Sequence, residues 1–413
     1  MKVNVIVFLL TITVLKLYAE TDTVRSATLK NETDIGDIRA RIFHRPTKLD
    51  TAIFKFRKLL IPSFSYNPSA GFELGLSVSA LKFLGHPDST TISTGEVEVS
   101  ASTKGILYIN YKHNIYLPKN NWSLQGNWQI GRTQALDYGV GTGRRSEYAM
   151  FNIPDDVYQL KYTSFRFKET AYRKIKGKFY GGIGIILNAY TGIDEEHRDD
   201  INAYHYQYSI RNGFPLWHYL ANAVTLNLQY DSRDHPNRPY KGIFANLRFK
   251  TNQKIIGSSE NATQLITEFR KYWGLSDLNP EHILAFWHWG SYLLSGKIPY
   301  LELPGTSSDN DGRGGRAYTV GRFKGSSFFY SETEYRFPIS KNKLISGVAF
   351  INAQTGSNEN GLTKVKLFQR WEPGVGAGIR ILYDKYSRSN ICVDYGIGNY
   401  GSRGFFINLN ETF

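Results

Sequence analysis

Apolar and polar side chains alternate along most of the chain from residue 57 onwards. Within 121–133, Trp122, Leu124 and Trp128 alternate with polar residues, and the pattern recurs over 224–230. A period of two residues is the signature of a β-strand with two different faces. Many of the segments reach about ten residues, which is the length that a tilted strand needs to cross a bilayer. The pattern predicts an all-β, membrane-embedded antiparallel β-barrel.

About sixteen strands can be placed on this basis. They are predicted over 57–66, 71–84, 89–103, 106–117, 121–133, 158–169, 177–190, 221–231, 242–251, 261–272, 281–294, 326–337, 343–354, 371–382, 390–399 and 404–413. Outer-membrane barrels alternate short periplasmic turns with long outer loops. The longest connections, 134–157, 191–220 and 295–325, all fall on the outer side by this alternation. An even strand number also returns the C-terminus to the periplasmic side.

The first 19 residues have the pattern of a secretory signal peptide. Lys2 precedes an apolar run from Val5 to Leu15, and Ala19 is the small residue expected before a cleavage site. Together with the alternation, this pattern predicts export to the bacterial outer membrane.

Residues 20–56 lack the alternation and are predicted to be a periplasmic N-terminal segment. Ile35, Ile38 and Ile42 have helical spacing among several arginines, which predicts one short amphipathic helix. Two interpretations are open. The segment is an ordinary tail, or its basic helix enters the lumen or lies on the inner headgroup layer. The barrel domain would then span 57–413.

The composition agrees with a barrel. Aromatic residues make up 15% of the chain, and Tyr and Trp suit the two membrane interfaces. No run of about 18 apolar residues follows Ala19, so no helical span is predicted. The net charge of +14 is spread along the chain, which argues against a nucleic-acid partner and favours outer-membrane lipids and lipopolysaccharide. With Cys392 as the single cysteine, neither a disulfide nor a cysteine metal site is expected, and no cofactor is predicted.

Several segments resemble the BamA/TamA-type outer-membrane barrels of the bacterial surface antigen family. The resemblance runs in order through 57–413, and 61–68 followed by Gly71 is similar to the first hairpin of the family. A second segment resembles its periplasmic turn between the eighth and ninth strands. This turn motif comprises Asp231, Arg233, Asp234 and Gly242. The 37 residues from 20 to 56 are too few for the periplasmic repeat domains that many members carry.

The loop before the predicted twelfth strand carries the most specific part of the resemblance. Residues 314–323 are similar to the sixth outer loop of the family, whose tip folds into the lumen and whose arginine pairs with carboxylates on the wall. The resemblance implies an inward-folded loop in which Arg316 and Tyr318 take these places. Asp394 lies on the polar face of its strand, so we predict that it pairs with Arg316. A bidentate arginine–carboxylate pair is directional enough to lock a loop.

Two positions depart from the family pattern. Ala317 replaces a glycine, so the tip must adopt a geometry open to an L-residue, or its conformation differs. Asn352 replaces an aspartate. Either the lock is weaker, or Asn352 serves as a hydrogen-bond acceptor.

The resemblance implies a role in inserting or translocating proteins at the outer membrane. Pro62 lies in the first predicted strand and cannot donate a ladder hydrogen bond. Gly404 begins the last strand and Phe413 ends it. A weakly bonded seam between these strands can open and pair with an incoming strand. Alternatively, Pro62 only starts a short, stable closing strand. The expected partners are unfolded outer-membrane proteins or envelope accessory proteins.

The alternative function is a non-catalytic scaffold or plugged pore that works with other envelope proteins. An enzyme is not expected, because catalysis requires a nucleophile, a base and an orienting group at one place. The histidines His205, His218, His282 and His288 have no matched Ser or Asp at a recognisable spacing.

Overall fold

A computed structural model describes residues 32–44, 57–67, 71–143, 157–195, 203–358, 364–385 and 387–413. The predicted signal peptide, residues 1–19, lies outside these ranges. No helix within the described ranges is long and apolar enough to span a membrane.

The described residues contain seventeen strands in a single sheet, in which each long strand pairs antiparallel with its neighbours along the chain. They are β1 Arg57–Asn67, β2 Gly71–Lys82, β3 Ser93–Ser102, β4 Leu107–Tyr116, β5 Trp122–Asp137, β6 Tyr158–Lys176, β7 Phe179–Glu195, β8 His218–Leu220, β9 Ala223–Asp231, β10 Gly242–Asn252, β11 Ala262–Gly274, β12 Ile283–Gly296, β13 Ser327–Pro338, β14 Ile345–Ser357, β15 Glu372–Asp384, β16 Ser389–Gly398 and β17 Arg403–Leu409. The sixteen long strands match the predicted ones. The additional strand, β8, has three residues and pairs with the end of β7.

The two faces of the sheet are the reverse of those in a soluble protein. On β9, Leu226 and Leu228 are each 57% exposed, whereas Asn227 between them is 3% exposed. Apolar side chains therefore form the outer surface, and polar side chains fill the interior. This inversion is what the bilayer requires of a transmembrane barrel.

The helix predicted near residue 35 is present as α1, Ile35–Ile42, and begins with a reciprocal capping box between Asp34 and Asp37. It lies at the periplasmic turns and not in the lumen. Lys385 in the β15–β16 turn donates to Asp37 at 2.7 Å, and Lys343 in the β13–β14 turn donates to Glu32 at 2.7 Å. Acidic residues around the first turn of the helix, and not its basic face, make these contacts.

A second helix, α2 Tyr204–Asn212, was not predicted. Tyr204 and Tyr208 are one turn apart and pack in a cluster of buried aromatic residues that includes Tyr158 and Tyr300. The Tyr208 hydroxyl also donates to the Ile298 carbonyl at 2.7 Å. We call α2 and this cluster the outer cap, because they cover the end of the barrel opposite α1.

The end of the chain differs from the prediction. The last strand was expected to run to Phe413, but β17 ends at Leu409. Asn410 adopts a positive φ of 67°, which turns the chain into the lumen. Phe413 is buried there and stacks on Trp287 at a ring distance of 5.2 Å. Phe413 is therefore not a residue of the seam.

Candidate functional site

The loop between β12 and β13, residues 297–326, folds back into the barrel, and we call it the lumen loop. Arg316, Ala317 and Tyr318 at its tip are each at most 2% exposed. The hydrogen-bond partners of Arg316 and Tyr318 lie on β13, β15 and β16. The loop therefore fills the part of the lumen beside these strands.

Arg316 donates into a pocket of three carboxylates. Its Nη1 lies 2.8 Å from Oδ2 of Asp394, as predicted, and its Nη2 lies 2.6 Å from Oε2 of Glu334. The same Nη2 also donates to Glu332. The guanidinium stacks on the ring of Phe350, 3.8 Å from its centroid. Arg316 is thus held by charge, hydrogen bonds and a cation–π contact.

Two further arginines balance the charge of this pocket. Arg336 donates to the second oxygen of Glu334 at 2.5 Å, and Arg380 donates to Oδ1 of Asp394 at 2.5 Å. Buried carboxylates are stable only when they are paired and hydrogen-bonded. Each of the three carboxylates has at least one arginine partner, which satisfies that requirement.

Asn352 contributes to the pocket as a hydrogen-bond donor, so the acceptor role, one of the two alternatives, is wrong. Its Nδ2 donates to the carbonyl of Arg316 at 2.8 Å and to Oε2 of Glu332 at 3.3 Å. Glu332, which contacts both Asn352 and Arg316, is a carboxylate of the pocket that we had not singled out. The sequence pattern could have identified Glu332, because Glu332 and Glu334 are two residues apart and therefore lie on the same polar face of β13.

Ala317 keeps the tip in a conformation that favours glycine, with a φ of 113°. Glycines on the wall make room for it. A Cβ on Gly396 would lie 2.8 Å from the Ala317 nitrogen, and one on Gly398 would lie 2.5 Å from Cζ of Tyr318. The loop therefore has an alanine in a backbone conformation that favours glycine, and two glycines on β16 leave room for the loop tip.

Tyr318 and Ala317 fasten the tip to the β16–β17 connection. The Tyr318 hydroxyl donates to the Pro373 carbonyl and accepts from the Asn399 amide at 2.8 Å. Ser402 donates to the Ala317 carbonyl at 2.7 Å. The tip therefore contacts β15 and the connection between β16 and β17.

The turn motif between β9 and β10 forms a separate ion-paired unit. Arg233 makes a two-pronged contact with Asp231, at 3.0 and 2.8 Å. Asp234 accepts the Tyr240 amide at 2.8 Å and pairs with Arg388 of a neighbouring turn at 2.8 Å. Gly242 has a φ of 117°, which favours glycine. The motif stabilises a periplasmic turn.

The C-terminal residues form a second anchor that the sequence did not predict. Arg380 donates to Glu411 at 2.7 Å, and Arg336 donates to the Phe413 carbonyl at 2.8 Å. Arg313 of the lumen loop donates to the carbonyls of Leu409, at 2.8 Å, and Glu411. The loop therefore holds the inward turn at the end of β17.

The seam between β1 and β17 has little regular bonding. Pro62 lies within β1 opposite Leu76 of β2, and Gly404 of β17 lies opposite Gly396 of β16. Within the described residues, no backbone ladder joins β1 to β17. A side chain bridges the gap instead, as the Tyr383 hydroxyl on β15 donates to the Leu60 carbonyl at 3.0 Å.

An apolar-out barrel with a loop locked in its lumen defines a class of outer-membrane proteins. The chain belongs to the Omp85 superfamily, since residues 72–413 match the Omp85 superfamily domain. It is thus an outer-membrane β-barrel protein of this type. A search of curated proteins finds no match to the sequence.

Two solved structures are similar to this chain. BamA from Haemophilus ducreyi lacking POTRA domains 1–3 is similar over 95% of this chain and 81% of that chain, with 12% identity and a TM-score of 0.51. CdiB from Acinetobacter baumannii is similar over 86% of this chain and 60% of that chain, with 14% identity and a TM-score of 0.47. At such low identity, the BamA likeness supports the barrel fold alone.

Proposed function

We propose that this barrel aids the insertion or translocation of proteins at the outer membrane, and that it acts at the seam and not through the lumen. The expected clients are unfolded outer-membrane proteins, and envelope accessory proteins are the expected partners. Membership of the superfamily supports the general role. The arrangement of the lumen loop and of β17 supports the place of action.

The lumen is a poor route because the loop is firmly held. Removing one partner of a buried ion pair typically costs about 3–5 kcal/mol, because it leaves a charge without compensation. Arg316 faces three carboxylates that are each at most 1% exposed. Withdrawing the loop would leave them without this cation, so we expect the loop to stay in place during activity.

The inward turn at the end of β17 is the observation that carries the proposal. β17 has 7 residues whereas β1 has 11, and the chain leaves the wall after Leu409. The edge of β1 therefore extends past the end of its neighbour. Unpaired backbone groups at a sheet edge are a template for an added strand. An unfolded client could add its first strand there.

The test is the rate at which an unfolded small barrel protein inserts into liposomes that contain the purified protein. We expect faster insertion than into empty liposomes. Arg313→Gln should slow it, because the end of β17 is then free to leave the lumen and pair with β1. Lys254→Gln removes the same charge from an exposed loop and should leave the rate unchanged. Equal rates with and without the wild-type protein would reject the proposal.

A plugged pore is the second candidate, and the lumen itself favours it. Cavities of about 220 Å³ and about 490 Å³ remain beside the lumen loop. Deleting residues 305–324 should then raise ion conductance in planar bilayers. A barrel that conducts after deletion but never accelerates insertion would favour the pore or a scaffold role.

We propose a non-catalytic role in either case. Two of the candidate histidines support it. The ring nitrogens of His288 contact Oγ1 of Thr267 at 2.8 Å and the Tyr330 carbonyl at 3.0 Å, which are structural contacts across the sheet. His282 contacts the Tyr335 hydroxyl at 2.7 Å at a periplasmic turn. Neither of these two histidines contacts a serine or a carboxylate through these bonds. His205 differs, because its Nε2 lies 3.4 Å from Oγ of Ser209, one turn along α2.

A further inference from the structure

The wall of the larger lumen cavity, of about 490 Å³, carries five cations and the four acidic residues Asp137, Glu302, Asp309 and Asp311. Two of its cations have close anionic partners. Lys250 lies 3.1 Å from Glu302, and Lys324 lies 3.0 Å from Asp137. The other two acidic residues are engaged elsewhere, because Asp311 pairs with Lys112 and Arg270 and Asp309 accepts the Gly314 amide at 2.6 Å. Three further cations line the same wall.

Arg166 and Lys168 on β6 and Arg248 on β10 line the same cavity. Within the described part of the chain, none of the three has a carboxylate oxygen at ion-pair distance. Arg248 is 7% exposed, whereas Arg166 is exposed to the cavity. Three like charges are thus gathered around one space, and one of them is almost fully buried.

Lys168 and Arg248 donate their hydrogen bonds to uncharged side-chain oxygens. Lys168 donates to Oδ1 of Asn310 in the lumen loop, and Nη1 of Arg248 donates to the same oxygen at 3.3 Å. Nε of Arg248 donates to Asn227 at 2.8 Å. A single amide oxygen therefore receives hydrogen bonds from two cations without neutralising either.

An anion would relieve this arrangement. Like charges brought together in a poorly solvated space destabilise one another, and an opposite charge at short range stabilises them. A guanidinium is well matched to the oxygens of a phosphate group, because its parallel N–H donors can bind two of them at once. The side chains of Asn127 and Gln129 also line the cavity and can donate to further oxygens.

We propose that this cavity is a binding site for a phosphate-type oxyanion, held by Arg166, Lys168 and Arg248. The phosphate group belongs either to a free anion or to a lipid headgroup. The site is separate from the acidic pocket of Arg316 and from the seam. It does not depend on the proposed role in protein insertion.

The first experiment is calorimetric titration of inorganic phosphate into the protein in maltoside micelles, at constant ionic strength. We expect saturable binding to one site. Arg166→Gln and Arg248→Gln should each weaken binding by about tenfold or more, the effect of losing one strong contact. Lys254→Gln, the charge-matched variant in an exposed loop, should bind as the wild type does. Electrophoretic mobility before and after heating shows whether each variant is a folded barrel.

A second arm separates the two sources of phosphate. The titration is repeated in nanodiscs with and without phosphatidylglycerol. Weaker phosphate binding in the presence of this lipid would support a headgroup as ligand, and unchanged binding would support a free anion. The site itself is rejected if the wild type shows no saturable phosphate binding. It is also rejected if a folded variant with both Arg166→Gln and Arg248→Gln binds phosphate equally well. If the Gln variants do not fold, Arg166→Lys replaces them. It keeps the charge but loses the forked donors, so it should bind phosphate more weakly than the wild type, and equal binding would reject the role of Arg166.

Discussion

Nη1 of Arg316 lies 2.8 Å from Oδ2 of Asp394, although the two residues are 78 positions apart in the chain. The first belongs to the lumen loop and the second to β16, the strand beside the last one. Their contact therefore connects the contents of the lumen to the wall next to the seam.

Arg316→Gln should release the tip of the lumen loop. The variant leaves Glu332, Glu334 and Asp394 without this partner, and we expect a loss of about 3–5 kcal/mol in the free energy of unfolding. Arg316→Lys should recover only part of it, because an ammonium cannot reproduce the forked contact. The measurements are urea unfolding in detergent and the rate of protease cleavage within 297–326. Wild-type values for both in Arg316→Gln would contradict the lock.

Ala317→Gly should stabilise the loop. Ala317 has a φ of 113°, which an L-residue adopts only with strain. Relief of that strain should exceed the entropy cost of glycine and raise the free energy of unfolding by about 1 kcal/mol. Ala349→Gly on β14 is the control and should lower it by about 0.5–1 kcal/mol. Destabilisation by both variants to the same extent would show that the tip is unstrained.

Gly126→Ala should disturb a polar cluster on the lipid-facing side of β4–β6. Glu169 lies 3.1 Å from His113 and accepts from Trp128 at 3.0 Å. A Cβ on Gly126 would collide with both the His113 ring and the Glu169 carboxylate. We expect a loss of about 1–3 kcal/mol, the usual cost of overpacking.

Gly404→Ala is the matched control for that prediction. A Cβ there would meet no heavy atom within 4 Å, so we expect a change within about 0.5 kcal/mol. The measurement is the free energy of unfolding in urea, compared between the Gly126→Ala and Gly404→Ala variants. A cost at Gly404 as large as that at Gly126 would show that strand glycines matter here for backbone reasons and not for space.

Acid should loosen the outer cap through His205 of α2. Burial lowers the pKa of His205 to about 4, from an ordinary value of 6.5. Asp137 raises this pKa by a smaller amount, and Lys324 lowers it. The undocked helix can bind a proton near its ordinary pKa, whereas the docked helix cannot. Docking is thus unaffected above about pH 6.5 and weakens as the pH falls from there towards about 4.

Hydrogen exchange of the amides of 203–213, corrected for intrinsic rates, measures this effect. Protection should fall between about pH 7.5 and about pH 5 in the wild type, and fall less in His205→Gln. Comparing the two proteins separates His205 from nearby groups such as Glu195, which accepts the His205 amide at 3.1 Å. An equal loss in both proteins would assign the effect to another group.

The sequence predicted most of the sheet because each strand carries its own period-two signal. The pairing of Arg316 with Asp394 was also within reach, because the resemblance named the arginine and the alternation placed Asp394 on the inner face. The contribution of Glu332 was missed because the asparagine at 352 drew attention to a lost charge. Glu332 lies directly opposite Asn352 on the neighbouring strand, β13.

The inward turn of the chain end could not be predicted from local pattern. The alternation of 404–409 gives no sign of where β17 ends, and the aromatic Phe413 suits a strand as well as a lumen. The turn depends on distant arginines, Arg313, Arg336 and Arg380, that reach the last residues. The docking of α2 likewise depends on Tyr300, which is about 90 residues away in the chain.

The most direct test of the central claim is to lock the seam and measure insertion. Cysteine pairs are placed along β1 and β17 in a Cys392→Ser background, and disulfide formation is followed by gel mobility. Insertion of an unfolded small barrel protein into liposomes is then compared for each pair before and after reduction. The account predicts that the oxidised protein is inactive and that reduction restores the wild-type rate. Full activity of a completely cross-linked barrel would contradict it.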